Sequence, residues 1–211
     1  MPKEHLIESS YEFIEICKSI NKPKFIASLN VESLFTNVPV QETIDIILQN
    51  VYNHTEKPPP NIPKPILKDL LLICTTKSPF RGPDSKLYVQ SDGVSMGSPL
   101  GPTLANYYMC NLENKAIAQL SIKPRIYCRY VDDCFIVIDN IEELYSLRNY
   151  FESNSVLRFT FETEINKKLP FLDICLERQS EKITTSIHVK PSASNEIQII
   201  IVCALCNIKT Q

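Results

Sequence analysis

The stretch Ile126-Tyr-Cys-Arg-Tyr-Val-Asp-Asp-Cys-Phe-Ile-Val-Ile138 decides the fold. Its two apolar runs are separated by the adjacent carboxylates Asp132 and Asp133, which predicts two strands joined by a tight turn. Carboxylates are costly to bury without partners, and a hairpin tip keeps them at the edge of the core. A divalent cation would relieve their repulsion, and oxygen ligands of this kind favour Mg²⁺. An isolated Asp-Asp pair is more often an exposed acidic turn, so the hairpin alone leaves both interpretations open.

Outside the hairpin, apolar periodicity predicts alternating helices and strands. Helices are predicted at residues 4–20, 43–52, 66–76, 103–119 and 141–151. Strands are predicted at residues 24–31, 86–90, 157–162, 171–177 and 183–189. The helix at 66–76 is apolar enough to be mostly buried. Since several strands follow one another as hairpins, we expect an α+β fold in which helices cover one face of an antiparallel sheet.

Length and composition narrow the class of protein. The chain has 211 residues, with 22 basic and 24 acidic side chains and a formal net charge of −2. This length suits one domain, and an apolar content of 44% excludes a disordered chain. The near-neutral charge argues against a stand-alone basic protein that binds nucleic acid. No apolar run reaches about 18 residues and the first residues lack a signal-peptide core, so we expect neither a membrane span nor secretion.

The eight cysteines are interpreted as free thiols. Most of them lie inside apolar stretches, and without a signal peptide this is typical of buried thiols in a reducing compartment. Cys203 and Cys206 have the spacing of a metal-binding pair, but no second pair or nearby histidine completes a zinc site. We therefore expect an intracellular protein without zinc.

Three of the four glycines lie in Asp92-Gly-Val-Ser-Met-Gly-Ser-Pro-Leu-Gly-Pro102. In a chain so poor in glycine, this concentration indicates backbone that approaches a ligand closely or adopts unusual dihedral angles. The loop leads into the predicted helix at 103–119, whose first N–H groups would suit a phosphate or a nucleic acid backbone. A tight turn that simply requires glycine explains the loop equally well.

Four segments occur along the chain in a characteristic order. They are Ser28-Leu-Asn-Val-Glu-Ser-Leu-Phe-Thr-Asn-Val-Pro39, Met96-Gly-Ser-Pro-Leu-Gly-Pro102, Tyr130-Val-Asp-Asp133 and Leu169-Pro-Phe-Leu-Asp173. Together they resemble the palm of a reverse transcriptase, and their amino-acid sequences are similar to those of Penelope-like retroelements. The resemblance divides the chain into an N-terminal helix at 1–23, a palm at 24–192 and a divergent tail at 193–211.

The resemblance implies an RNA-directed DNA polymerase that joins deoxynucleotides to a primer on an RNA or DNA template through two Mg²⁺ ions. Asp132 and Asp133 then correspond to metal-binding carboxylates. Tyr130 corresponds to the aromatic residue beside the primer, Phe35 to the bulky residue that excludes a ribose 2′-hydroxyl, and Lys190 to the primer-gripping hairpin. The loop that contacts template and incoming nucleotide corresponds to Gly93, Met96, Gly97, Ser98 and Pro99. An element of this kind makes the nucleus a candidate compartment.

One departure from the family concerns the chemistry directly. Asn30 stands where the family carries a metal-binding aspartate, and its amide supplies no charge to hold two cations. Losing one preorganised electrostatic group often costs about 10²–10³ in rate, and Glu32 lies in the wrong register to replace it. From the same resemblance we expect the basic fingers segment, the thumb and the endonuclease domain of the family to be missing. We therefore expect a truncated and catalytically impaired copy, with a non-catalytic remnant that binds nucleic acid or protein as the alternative. The oligomeric state is left open.

Overall fold

A computed structural model describes residues 5–53, 60–76, 79–90, 92–95, 97–121 and 123–188. Predictions for Met96, Lys190, Cys203 and Cys206 fall outside the described residues. The helices are α1 (Ser10–Ser19), α2 (Leu34–Asn37), α3 (Val40–Tyr52), α4 (Lys64–Thr75), α5 (Gly101–Gln119) and α6 (Ile141–Ser153). The strands are β1 (Phe25–Val31), β2 (Pro79–Arg81), β3 (Leu87–Val89), β4 (Ile126–Tyr130), β5 (Asp133–Ile138), β6 (Phe159–Thr163), β7 (Lys168–Phe171), β8 (Ile174–Arg178) and β9 (Ile183–Ile187).

An antiparallel sheet with the strand order β4-β5-β1-β6 forms the centre of the fold. Its two central strands, β5 and β1, carry apolar side chains on both faces of the sheet. Successive side chains of a strand point to opposite faces, so each strand contributes to two cores. Ile26 and Phe135 enter one core, whereas Ala27 and Ile136 enter the other. The register places Asn30 directly opposite Asp133. The sheet therefore brings two distant parts of the chain together at one strand end.

Helices α3, α5 and α6 cover one face of this sheet, as the sequence predicts. Their buried side chains, such as Ile44, Met109 and Leu147, form one core with Leu29 and Ile136 of the sheet. Helix α6 begins at a capping box in which Asn140 and Glu143 satisfy each other's backbone N–H groups. The predicted α+β architecture, with an antiparallel sheet and helices packed on one face, is confirmed.

The opposite face of the sheet is covered by α1 and by a second sheet with the order β7-β8-β9. The ring of Phe13 lies 5.0 Å from that of Phe135 and 4.7 Å from that of Phe171. Helix α1 begins at Ser10, capped by Ser9, and not at residue 4 as predicted. The reason is that residues 5–7 instead run beside β4, where the Ile7 N–H donates to the carbonyl of Arg129.

Two elements between residues 60 and 90 differ from the prediction. None of the twelve residues of α4 is buried, so the predicted burial of this helix is wrong. Leu67, Leu71 and Leu72 pack against the core, but Ile66 and Leu70 remain exposed. Strand β2 was not predicted, because three residues are too few for a periodic pattern to show. It pairs with β3 in a small hairpin that exposes all of its residues.

The described cysteines are free thiols, and most of them are buried. Burial raises the pKa of the Cys17 thiol to about 12 and that of the Cys134 thiol to about 12. Such thiols stay protonated at neutral pH and are chemically inert. Cys74 on α4 is exposed. In the part of the chain that the structure describes, no helix combines the length and hydrophobicity needed to cross a bilayer.

Candidate active site

The predicted hairpin is formed by β4 and β5, which are joined by the two-residue turn Val131-Asp132. Val131 adopts a left-handed backbone conformation with a φ of 56°. This region is unfavourable for a β-branched residue, and a non-glycine residue held there costs about 1–3 kcal/mol. Such strain persists only when surrounding groups hold the backbone in place.

A hydrogen bond from the Arg129 side chain fixes the Val131-Asp132 turn. Its Nη1 donates to the carbonyl of Val131 at 2.9 Å, and its Nη2 donates to Asn106 Oδ1 at 2.9 Å. Its Nε donates to Glu113 Oε1, and the side chains of this ion pair are 1% and 0% exposed. The hydroxyl of Tyr127 donates to the same Glu113 oxygen at 2.8 Å. Helix α5 therefore supports the hairpin tip through a buried, hydrogen-bonded ion pair.

Asn30 and Asp133 face each other across β1 and β5. Asn30 Nδ2 donates to Asp133 Oδ1 at 2.6 Å. An ionised carboxylate has only acceptors, so the nitrogen end of the amide must point toward it. The Asn30 N–H groups thus occupy an oxygen through which Asp133 would bind a cation.

Asp132 lies in the turn itself, and its carbonyl accepts a hydrogen bond from the Val31 N–H at 3.0 Å. Burial raises the pKa of its carboxyl group, and the neighbouring Asp133 carboxylate raises it further. The sequence placed Asp132 and Asp133 together as metal ligands. The structure brings Asp133 to Asn30, whereas Asp132 occupies the turn beside them.

The donor set does not fit the two-metal centre that the family resemblance implies. Two such cations need several negative oxygens, but a neutral amide faces Asp133 and turns its N–H toward it. Within the described ranges, no group of three or more histidine, cysteine, aspartate or glutamate side chains could hold a metal ion. Hard cations such as Mg²⁺ require oxygen donors, so an amide N–H cannot contribute to their binding.

A groove of about 540 Å³ opens around Asn30 and Asp133. Tyr130 lines it, as do several residues that sequence reasoning did not assign to the site. These are Ser28, Thr160, Glu162, Asp173 and His188. Thr160 lies opposite Asn30 on the other neighbouring strand, β6. Asp173 belongs to the quoted Leu169–Asp173 segment, which was the available signal for its position.

The other predicted site residues line two further cavities. Phe35 and Tyr130 share a cavity of about 380 Å³, so Tyr130 connects it to the first groove. Gly97, Ser98 and Pro99 line a groove of about 660 Å³ between the glycine loop and the β2–β3 hairpin. These predicted residues therefore line three cavities and do not share a single pocket.

Gly93 locks the glycine loop against α2. Its φ is +68°, and a Cβ atom built there would lie 2.3 Å from the carbonyl oxygen of Thr36. The next residue, Val94, donates its N–H to the carbonyl of Phe35 at 2.7 Å. Close packing against α2 and an unusual dihedral angle therefore explain why residue 93 is a glycine.

Gly93→Ala is expected to lower the free energy of unfolding by about 1–3 kcal/mol, because it combines backbone strain with a steric clash. Gly97→Ala is the matched control, since the nearest atom to a Cβ there is Ser95 Oγ at 3.9 Å. Urea denaturation of both variants measures the difference. Equal stability of the two variants would contradict this account of the loop.

Comparisons with known proteins agree with this architecture. The family model described as "Reverse transcriptase (RNA-dependent DNA polymerase)" matches residues 1–167. Comparison with curated proteins gives no significant match. Among solved structures, apo telomerase from Candida tropicalis, truncated from its C-terminal domain, has a TM-score of 0.62 at 10% identity, over 86% of this chain and 41% of that chain.

Two further solved structures share the fold. Telomerase from Candida albicans in complex with a TWJ fragment of telomeric RNA has a TM-score of 0.65 at 10% identity, over 98% of this chain and 40% of that one. The Sicinivirus 3Dpol RNA-dependent RNA polymerase has a TM-score of 0.52 at 16% identity, over 86% and 38%. The chain thus spans about two fifths of the length of these neighbours. At these identities the likeness concerns the fold alone, and it agrees with the predicted palm. Because the family model matches well over half of its residues, the chain belongs to the reverse transcriptase family.

Proposed function

We propose that this chain is the reverse transcriptase domain of a Penelope-like retroelement, and that it has lost most of its catalytic power. The family's reaction is RNA-directed DNA synthesis from a primer–template and deoxynucleoside triphosphates. The observation that carries the proposal is the hydrogen bond from Asn30 Nδ2 to Asp133 Oδ1. It lies in a groove at the hairpin tip, where the family resemblance implies a pair of carboxylates.

The proposed loss of catalytic power follows from the charge of the site. Two divalent cations and a triphosphate need fixed negative charge, and Asn30 provides none. Its N–H also competes with any cation for Asp133. We infer that Mg²⁺ binds weakly at this site, because Asp132 and Asp133 lack the carboxylate that the family resemblance implies at position 30.

The finer assignment is supported by the sequence. The segments around Phe35 and Pro99 are similar in sequence to those of the Penelope-like group, and the resemblance ends near Ser192. We propose that the palm comprises residues 24–192 and that residues 193–211 form a divergent tail. The template- and nucleotide-contacting roles of Gly93 and Met96 and the primer-gripping role of Lys190 remain predictions. A retroelement origin also suggests an intracellular protein, with the nucleus as a candidate compartment.

A non-catalytic remnant that binds nucleic acid or protein is the second candidate function. It is favoured by the β2–β3 hairpin, because Phe80, Leu87, Tyr88 and Val89 are all exposed there. Large exposed apolar patches on a soluble domain generally mark binding surfaces. A surface of this kind would survive the loss of the metal site.

Asn30→Asp is expected to increase the affinity for Mn²⁺ by about tenfold or more, since it adds a full charge beside Asp133 and removes the competing donor. Titration of the full chain with Mn²⁺, followed by electron paramagnetic resonance, measures this change. Asn114→Asp on the exposed side of α5 adds the same charge elsewhere and should leave the affinity unchanged. Equal Mn²⁺ affinities of the natural chain and Asn30→Asp would overturn the proposed loss.

A further inference from the structure

The outer side of α4 is an exposed apolar surface. Leu67 and Leu71 pack against the core, whereas Ile66, Leu70 and Ile73 are exposed. Their spacing of four and three residues puts these three side chains on one side of the helix. Amphipathic helices normally carry charged and polar side chains on the side away from the core, so an apolar outer side indicates a binding surface.

This apolar surface continues from the helix to the β2–β3 hairpin. Cys74, near the C-terminal end of α4, lines the same groove as Phe80 of β2. The ring of Phe80 lies 6.0 Å from that of its cross-strand partner Tyr88, and both side chains are exposed. Together with Ile62, which is exposed just before the helix, these residues form what we call the α4 face: Ile62, Ile66, Leu70, Ile73, Phe80 and Tyr88.

The area of the α4 face matches what a dimer needs. Its six residues are between 39% and 54% exposed. Each of them therefore offers on the order of 100 Å² to a partner, which makes about 600 Å² per copy and about 1,200 Å² for two copies. Specific protein interfaces begin at about this size, and those at the lower limit are weak. The α4 face is thus large enough for a reversible association.

The chemistry of the α4 face favours a second copy of the chain as its partner. Interfaces of homodimers are more apolar than other protein interfaces and have few charges at their centre. Lys68 points away from the face, since its Nζ donates to Asp45 Oδ1 of α3 at 2.7 Å, and Asp69 is the exposed charge beside the apolar side chains. Two identical apolar stripes also fit each other, because a two-fold axis pairs the same surface of both copies and packed helices bury such stripes.

We propose that the α4 face is the interface of a symmetric homodimer, in which a second copy of this chain covers it. The two α4 helices pack against each other across a two-fold axis near Leu70, and the rings of Phe80 and Tyr88 extend the contact on both sides. The two Asp69 carboxylates lie close to the same axis and repel each other, which keeps the dimer weak. None of the six residues lines the groove around Asn30, so the proposal does not depend on polymerase activity.

Sedimentation equilibrium of the full chain tests the dimer. Concentrations of about 1–100 μM cover the range in which a small interface associates, and a reducing agent prevents the exposed Cys74 from linking copies. We expect the natural chain to form a reversible dimer. Leu70→Glu places two further negative charges at the axis and should raise the dimer Kd by about tenfold or more. Ile165→Glu is the matched control, because Ile165 is more exposed than Leu70 but lies between β6 and β7, outside the α4 face.

Two further variants test the extent and the charge of the interface. Phe80→Glu should also weaken the dimer, whereas Asp69→Asn should strengthen it by removing the repulsion between like charges. Circular dichroism melts that match those of the natural chain exclude unfolding as the cause. Equal Kd values for Leu70→Glu and Ile165→Glu would overturn the proposal. A natural chain that stays monomeric at every concentration would also overturn it, and would leave the α4 face to another part of the chain or to a different protein.

Discussion

Arg129→Met is expected to lower the free energy of unfolding by about 3–5 kcal/mol. The variant leaves the Glu113 carboxylate fully buried without its cation, and the carbonyl of Val131 loses its donor. Breaking one side of a buried ion pair is among the most destabilising substitutions, because the remaining charge stays desolvated. Urea denaturation followed by circular dichroism measures the loss.

Two control variants test whether the lost stability comes from leaving a buried charge without its partner. Glu113→Leu/Arg129→Met removes both charges and should recover most of the stability lost in the single variant, since a buried ion pair replaced by apolar groups is often neutral. Arg148→Met breaks the partly exposed pair with Glu152, whose side chains are 34% and 22% exposed. It should cost less than about 1 kcal/mol. If Arg129→Met were as mild as Arg148→Met, the pair would not support the fold.

Asn30→Asp is expected to raise primer extension by about 10²–10³-fold over the natural chain. The added carboxylate would face Asp133 across β1 and β5 and supply the missing charge for a cation. Extension of a labelled primer by the full chain, with Mg²⁺ and deoxynucleoside triphosphates, measures the gain. The Asn114→Asp variant again controls for added charge.

Each outcome of this experiment assigns a function. Extension by Asn30→Asp alone supports a polymerase that lost one residue of its site. Extension by the natural chain at the same rate contradicts the proposed impairment. If neither chain extends a primer while Asn30→Asp gains Mn²⁺ affinity, the non-catalytic remnant becomes the better description.

The sequence predicted the parts of the fold that have a strong local pattern. The hairpin around Asp132 and the helix α5 were found because their apolar residues repeat regularly over many positions. The exposure of α4 was missed, because its apolar residues predict burial whether or not a neighbour covers them. Strand β7 was missed because Leu172, with a φ of 55°, ends it after four residues, and the predicted strand ran across this turn.

The candidate site was predicted less completely. Asn30 and Asp133 were identified by their segments, but their direct hydrogen bond depends on the pairing of β1 with β5. Thr160 and Glu162 join the same groove only because β6 lies on the other side of β1. Strand order is set by the packing of the whole chain, and periodicity does not encode it. Arg129 was overlooked because a single basic residue in an apolar strand gives no sign of its partner.

The hydrogen bond between Asn30 and Asp133 also determines how an aspartate at position 30 would affect stability. In a metal-free chain, the amide satisfies a half-buried carboxylate, whereas an aspartate at position 30 would place two like charges within hydrogen-bonding distance. Such a pair is unfavourable until a proton or a cation neutralises it. Asn30→Asp would therefore weaken the folded protein unless a metal ion were bound. Asparagine at position 30 therefore suits the folded chain without metal, whereas aspartate there depends on a neutralising proton or cation.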